Sequence, residues 1–386
     1  MKDMNEVVTA KIQAKLQKGR ENAVQATARL QAEGKIAVDY LFDVGAEKKG
    51  KSSNITFLPD LYPNKIGAEL ILPELQNDGH TRFVPKNFTI NMHAVRQVAA
   101  KLNIPATYLI DLLQGDGWQK KLGYEILNTH NGWTDRNKML LRTVGTDVRA
   151  FLSDSYRRLD SEMIFGTHID ELMSNGAQLA DGYMDDTRFM VESLLPHPIE
   201  VHTELNGIIF LAFGVRMDSS DYGAKALDLR QFIMQGVCLN GMVRQSVLRQ
   251  VHLGSKLPDN LSLSAETYKL DSMTTASAVR DLTKNLYSTE AIKDRMIEVK
   301  AASTEIVSAD AVLTNLFKTG KLFKGETEEV GKLLMRNDPM TGIQGESTLW
   351  KLTQGITAYA NNDSVDMIRR MELQEVAGDL FNKLKN

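Results

Sequence analysis

Cysteine is almost missing from this chain: of 386 residues only Cys238 is one. No internal disulfide can form, and no cysteine cluster can hold zinc or an iron–sulfur centre. Long hydrophobic runs are missing as well. The longest near the middle, Ile208–Phe213, is far below the roughly 20 residues of a membrane span. Met1–Arg20 is polar and charged, without the apolar stretch of a secretory leader. These absences lead to an expectation of a reduced, cytoplasmic setting with no membrane partner. Charge of one sign is missing too. Lys and Arg number 46 against 49 Asp and Glu, a net of −3, which excludes a uniformly basic protein that coats DNA. What remains is ordinary globular composition, 42% hydrophobic and 25% charged, long enough for two or three domains or one large domain with appendages.

The usual catalytic signatures are also lacking. There is no Gly-x-x-x-x-Gly-Lys-Ser/Thr phosphate loop, no Gly-x-Gly-x-x-Gly, no His-Glu-x-x-His and no Gly-x-Ser-x-Gly. The closest histidines, His197 and His202, bracket Pro198 with no carboxylate at helical spacing, and read as loop residues. Asp185-Asp186, with Asp181 nearby, is the one carboxylate group that invites a metal. Its simpler reading is a hairpin turn, where Asp is a preferred residue. No cofactor, metal or catalytic residue is therefore expected. A metal-dependent nuclease using these aspartates stays as an alternative.

Periodicity organises the chain. Val8, Ile12, Leu16, Val24 and Leu30 form a thin apolar stripe at helical spacing, so residues 1–36 read as one long amphipathic helix, packed on its own domain or on a neighbouring subunit. Residues 37–137 read as a mixed, mainly helical region. It contains the lysine-bearing loop Gly45–Asn54 and a helical hairpin over 92–114, with Thr89 as cap, Asn103 as turn and Pro105 opening the second helix. Residues 138–260 read as an α+β sheet core. A hairpin turns at Gly145-Thr146-Asp147, and a helix over Ser161–Ser174 closes at Asn175-Gly176. Strands follow over Leu179–Tyr183, Arg188–Leu195, Ile208–Met217 and Leu227–Val237. Residues 261–386 return to helical spacing. The fold class expected is α+β: a central, curved antiparallel sheet with hairpins and a crossing helix, flanked by helical N- and C-terminal regions.

Charge is distributed unevenly. Thr81–Arg158 holds twelve cations and six anions within a chain whose net charge is negative. Such asymmetry points to an anionic partner, and a few Arg and Lys suffice for salt-sensitive nucleic-acid binding. The candidate phosphate ligands are Lys138, Arg142, Arg149, Arg157 and Arg158, with Tyr156 as a surface on which an unpaired base could stack. A second cluster follows Asn240-Gly241, with Arg244, Arg249 and His252.

Several stretches resemble a known family. RAFLSDSYRRLDSEMIF (Arg149–Phe165), CLNGM (Cys238–Met242), TLWKLTQGITAYANN (Thr348–Asn362) and ELQEVAGDLF (Glu372–Phe381) look like the DUF 932 family of phage- and plasmid-encoded proteins, as does HAVRQVAAKLNIPATYL (His93–Leu109) before them. That resemblance implies a mobile element, a bacterial cytoplasm and DNA metabolism, and supplies no catalytic residues. The expected outline is also similar to phage single-strand annealing proteins, which form rings or filaments around single-stranded DNA. The leading expectation is a self-associating protein that holds single-stranded DNA in recombination, annealing or replication. Two alternatives stand beside it: a structural or host-interaction protein that binds no nucleic acid, and a helix-turn-helix regulator using His93–Leu113. The apolar second helix of that hairpin opposes the regulator, since a recognition helix presents polar side chains to base edges.

Overall fold

A computed structural model describes residues 4–75, 80–154, 156, 161–236, 239–250, 265–336 and 343–382. The chain begins with helix α1 (Met4–Ile36), whose buried residues Val8, Ile12, Leu16, Ala23, Ala26 and Leu30 fall on one stripe. That stripe packs on the chain's own sheet. Gly19 makes the contact possible, because a Cβ there would sit 1.6 Å from the carbonyl oxygen of Ala180.

Strands β1 (Ala37–Asp43), β2 (Ile55–Leu58), β3 (Ile66–Leu75) and β4 (Thr81–Ile90) follow. Then come helices α2 (Met92–Lys101), α3 (Ala106–Gln114) and α4 (Trp118–Trp133), and the hairpin β5 (Lys138–Val144) and β6 (Asp147–Ser153). Together the six strands form one sheet in the order β1-β5-β6-β4-β3-β2, antiparallel except where β4 meets β6. The three helices close one apolar core with it, built on Phe42, Phe57, Phe88, Val98, Leu109, Tyr124, Leu127 and Phe151. The helical hairpin forms as expected and turns at Asn103, which takes a left-handed φ of 57°. Its cap is Asn91, which accepts from the Ala94 N–H at 2.8 Å. Thr89 instead lies in β4 and donates to Asp147 at 2.9 Å.

Helix α5 (Ser161–Ser174) leads to the second sheet, formed by β7 (Gln178–Met184), β8 (Phe189–Leu194), β9 (Ile199–Thr203), β10 (Gly207–Ser219), β11 (Leu227–Gln235) and β12 (Asn240–Gln250). Its order is β12-β11-β10-β8-β7, with β9 also paired to β10. β10 is buried along both faces, as its nearly continuous apolar run requires. Phe210 and Ala212 meet Val8 and Ile12 of α1. Val215 and Met217 meet Phe165 of α5 and Val279 of α6 (Ala265–Leu286). Ile209, Leu211 and Phe213 join the core of the C-terminal helices α7 (Thr289–Thr304), α8 (Ala309–Lys318), α9 (Lys324–Arg336), α10 (Leu349–Ala360) and α11 (Met367–Asn382). Ser288, Ser308 and Thr348 cap α7, α8 and α10 through side-chain oxygens.

The protein is thus α+β with helical N- and C-terminal regions, as expected, but its strands form two sheets where one was expected. Residues 37–137 hold four strands besides their helices, so the mainly helical reading gives way to a mixed one. β5 and β6 belong to this first unit, because β5 pairs with β1 and β6 with β4. The N-terminal helix spends its apolar stripe inside the chain, which removes it as an argument for self-association.

Candidate anion-binding cleft

The two sheets meet along the segment Ser220–Ala224, and one of the arginines singled out by sequence, Arg142, fastens it. Arg142 of β5 is 2% exposed. Its Nε and Nη2 donate to the two carboxylate oxygens of Asp39 at 2.7 and 2.9 Å, and its Nη1 donates to the Asp221 carbonyl at 2.6 Å. Such a bidentate pair is strong and directional. Here it ties the first sheet to the connector of the second. Tyr222 is held alongside. Its carbonyl accepts from Gln97 Nε2 at 2.7 Å and from His93 Nε2 at 3.0 Å, while its hydroxyl donates to Glu33 of α1 at 2.9 Å.

Arg149 of β6 is a second fastener. It reaches Asp147 at 3.0 Å, Glu33 at 3.6 Å and Asp186 in the β7–β8 turn. Burial alone would raise the Asp186 carboxyl, but hydrogen bonds from Arg149 and Arg29 hold it below its ordinary value. Arg244 of β12 is 3% exposed, donates to Glu298 at 2.8 Å and to the Gly378 carbonyl at 3.0 Å, and lies 5.0 Å from the Phe381 ring centre. Burial pulls its pKa down, and Glu298 only partly offsets that. Arg142, Arg149 and Arg244 are therefore taken up by internal carboxylates and carbonyls. As phosphate ligands they are corrected, since these guanidiniums are ion-paired inside the protein and withdrawn from a strand in solvent.

The remaining candidates divide. Tyr156 is half-buried, with the Arg142 guanidinium 5.9 Å from its ring centre, and burial pushes its hydroxyl pKa up. Its face is occupied by an internal cation, which corrects its reading as an open stacking surface. Lys138 begins β5, opposite Asp43. Arg157, Arg158, His252 and Cys238 lie outside the described residues. Arg249, exposed on β12, is the nominated arginine that lines an open cavity.

That cavity, of about 680 Å³, is bounded by Gln97 and Lys101 of α2, Phe151–Ser153 of β6, Tyr156, Gly223–Ala226, Asp228 and Arg230 of β11, Arg249 of β12 and Glu375 of α11. The cations at its other end are ion-paired. Lys225 sits 3.3 Å from Asp218 and 3.1 Å from Glu375. Arg230 sits 2.5 Å from Asp228 and 2.9 Å from Glu375. Its rim is different: the side chains of Lys101 and Arg249 make no hydrogen bond or ion pair among the described residues. Burial and the nearby Arg136 lower the Lys101 pKa, with Asp154 pulling against them. The cleft thus offers two cations without side-chain ion pairs among the described residues beside an ion-paired floor, an arrangement suited to an anion that enters from solvent.

The aspartates proposed for a metal are spent as well. Asp185 accepts from the Thr187 and Arg188 N–H groups and from Tyr183, closing the β7–β8 hairpin as its turn reading required. Asp181 accepts from Asn22 at 2.9 Å. Among the described residues no three His, Cys, Asp or Glu side chains converge on a metal position. Nor is any helix there long and apolar enough to cross a membrane.

Fold and cleft together define a class: a two-sheet α+β protein with a cation-rimmed cleft at the sheet junction. Beyond that class no protein family model, curated protein or solved structure matches the chain.

The site residues missed by sequence are Lys225, Arg230 and Glu375, which tertiary packing alone gathers from 150 positions apart. Lys101 was already among the cations of the basic segment. A strand read over Asn240–Gln250 would have singled out Arg249 from its neighbours.

Proposed function

We propose that the protein binds a single strand of nucleic acid across this cleft, as a holder of the strand without catalytic chemistry of its own. The observation that carries the reading is the pair of cations whose side chains have no direct partner among the described residues, Lys101 and Arg249, lining one cavity of about 680 Å³. Backbone phosphates would take the rim, where salt-dependent contacts cost least desolvation. The surplus of cations in Thr81–Arg158 supports the same reading. The resemblance to the DUF 932 family adds the context of a mobile element in a bacterial cytoplasm, with recombination, annealing or replication as the process. Self-association belongs to this proposal and rests on the C-terminal helical region.

The test is a titration of a labelled single strand and its matching duplex at two salt concentrations, with the protein's mass recorded in the same buffer. Salt-sensitive binding of the single strand is expected. The Lys101→Ala/Arg249→Ala variant should weaken it across all sequences and flatten the salt slope by about 1.4, two phosphates at about 0.7 each. Absence of binding at low salt would discard the reading.

One observation favours a second reading, a structural or host-interaction protein. Ile306, Phe317 and Met335 in the C-terminal helical region are 70%, 47% and 82% exposed, and a strand in the cleft leaves them unused. Recovery of one defined protein from nuclease-treated lysate, lost on Met335→Glu, would support it. The helix-turn-helix reading gains nothing from α3, whose exposed residues Thr107, Tyr108, Asp111 and Gln114 include no cation.

A further inference from the structure

A second cavity opens on the other side of Lys101. It has a volume of about 590 Å³ and is lined by residues that include Asn103, His130, Trp133 and Arg136. Lys101 lines both cavities, so the two adjoin at the C-terminal end of α2. Trp133, the last residue of α4, is 59% exposed. An indole left in water forgoes a large burial gain, and here it stands beside two cations.

The electrostatics set what fits there. The C-terminal ends of α2 and α4 converge on the pocket, and helix C-termini carry partial negative charge. Two of their carbonyls are already taken: Arg136 Nε donates to Lys101 O at 2.9 Å, and His130 Nδ1 lies 3.0 Å from Leu102 O. Asp135 is paired with Lys48. A bare anion gains little between two such ends. A flat, neutral π-system gains a stacking face on Trp133, and the phosphate attached to it can reach Arg136 or Lys101.

We propose that this pocket is a base-stacking subsite, in which Trp133 takes an unpaired base of the strand whose phosphates cross Lys101 toward Arg249. The inference rests on the strand-binding reading above. It adds a direction to it: the strand runs from the α2–α4 corner into the junction of the sheets.

Tryptophan fluorescence tests it. Trp350 is buried against Phe381, and Trp118 lies at the far end of α4, about 22 Å away along a 16-residue helix. In a Trp118→Phe background, a deoxythymidylate oligomer should quench the emission, and the quench should report Trp133. Trp133→Ala should weaken binding of the oligomer about 5- to 150-fold, the range for one stacked base, and Trp133→Phe should restore most of it. Lys101→Ala should weaken both the quench and the anisotropy of a labelled strand. If the labelled strand binds while the emission and the Trp133→Ala affinity stay unchanged, the subsite is overturned and the strand-binding reading survives. If neither signal moves, both fall. If thymidine monophosphate quenches as strongly as the oligomer, with no gain in affinity from length, the pocket belongs to a free nucleotide and the strand path is overturned.

Discussion

The two faces of β10 are buried alike but built differently. Ile209, Leu211, Phe213, Val215 and Met217 form an apolar face along the whole strand. The opposite face starts apolar, with Phe210 and Ala212, then turns ionic at Arg216 and Asp218, which are 0% and 1% exposed. Arg216 is held by Glu192 and Gln374. Asp218 is held by Lys225, which leads through Glu375 to Arg230 and Asp228. On the apolar face stability follows area and volume. On the ionic face it depends on every partner being present, since a buried charge without one is costly. The contrast carries over to function, because charges spent inside such a network are withdrawn from ligands, whereas Lys101 and Arg249 at the rim are not.

The largest effects should come from breaking each face in turn. Arg216→Ala leaves the buried Glu192 carboxylate uncompensated and should cost about 3–5 kcal/mol in urea unfolding. Combining Arg216→Met with Glu192→Leu should recover most of it. Phe213→Ala should cost a similar amount, about 3–5 kcal/mol, but through the cavity it leaves, so removing a neighbouring polar group cannot restore it.

A smaller effect should separate the two faces by pH. His168 of α5 is fully buried, with its Nδ1 2.8 Å from Thr283 Oγ1, and burial lowers its pKa from 6.5 to about 4. The unfolded chain binds this proton from about pH 6.5 downward, the folded chain only near 4. Between those values the unfolded state holds more protons, so stability falls as pH falls, by about 3 kcal/mol across the window. His168→Leu should remove that part of the acid sensitivity, seen as a flatter dependence of the unfolding midpoint on pH. An equal slope in the two proteins would assign the sensitivity to the carboxylates of the ionic face instead.

Smaller still is the cost of crowding the sheet edge. A Cβ at Gly378 would lie 1.7 Å from the Val243 carbonyl oxygen, so α11 must shift from β12 in Gly378→Ala, at about 1–3 kcal/mol by thermal unfolding. The smallest change belongs to the rim. Lys101→Ala/Arg249→Ala should move stability by no more than about 0.5 kcal/mol, while Arg142→Ala, which leaves the Asp39 carboxylate unpaired, should lower it well beyond that. A large loss from the rim pair would show these cations to be structural as well.

Much of residues 138–236 was legible because its signals are local. Ser161–Ser174 and its Asn175-Gly176 stop, the hairpin turns at Gly145 and Asp185, and the apolar run in β10 each lie within one short window. Strands β1 to β4 were not legible. β4 carries Pro85 and alternates weakly, and although β2, β3 and β4 pair with their neighbours in the chain, β1 joins the sheet only through a distant partner, Ala37 opposite Val144. β9, only five residues long, and β12, whose pairing with β11 is broken by register shifts, also escaped notice. The candidate site fared differently. The basic segment was visible as a count, and it contained both the cations that pairing consumes and Lys101, which it does not.

By itself the sequence determined the α+β class, the long first helix, the helical hairpin, the C-terminal helices and the regional excess of cations. These follow from spacing and composition, which act over a few residues. Tertiary structure alone decided that the strands divide into two sheets, that the first helix packs on its own chain, and which cations stay available. Arg142 finds Asp39 across 103 positions and Arg244 finds Gly378 across 134. Such pairings depend on where the folded chain brings carboxylates and carbonyls to a buried guanidinium, and no local pattern encodes that distance.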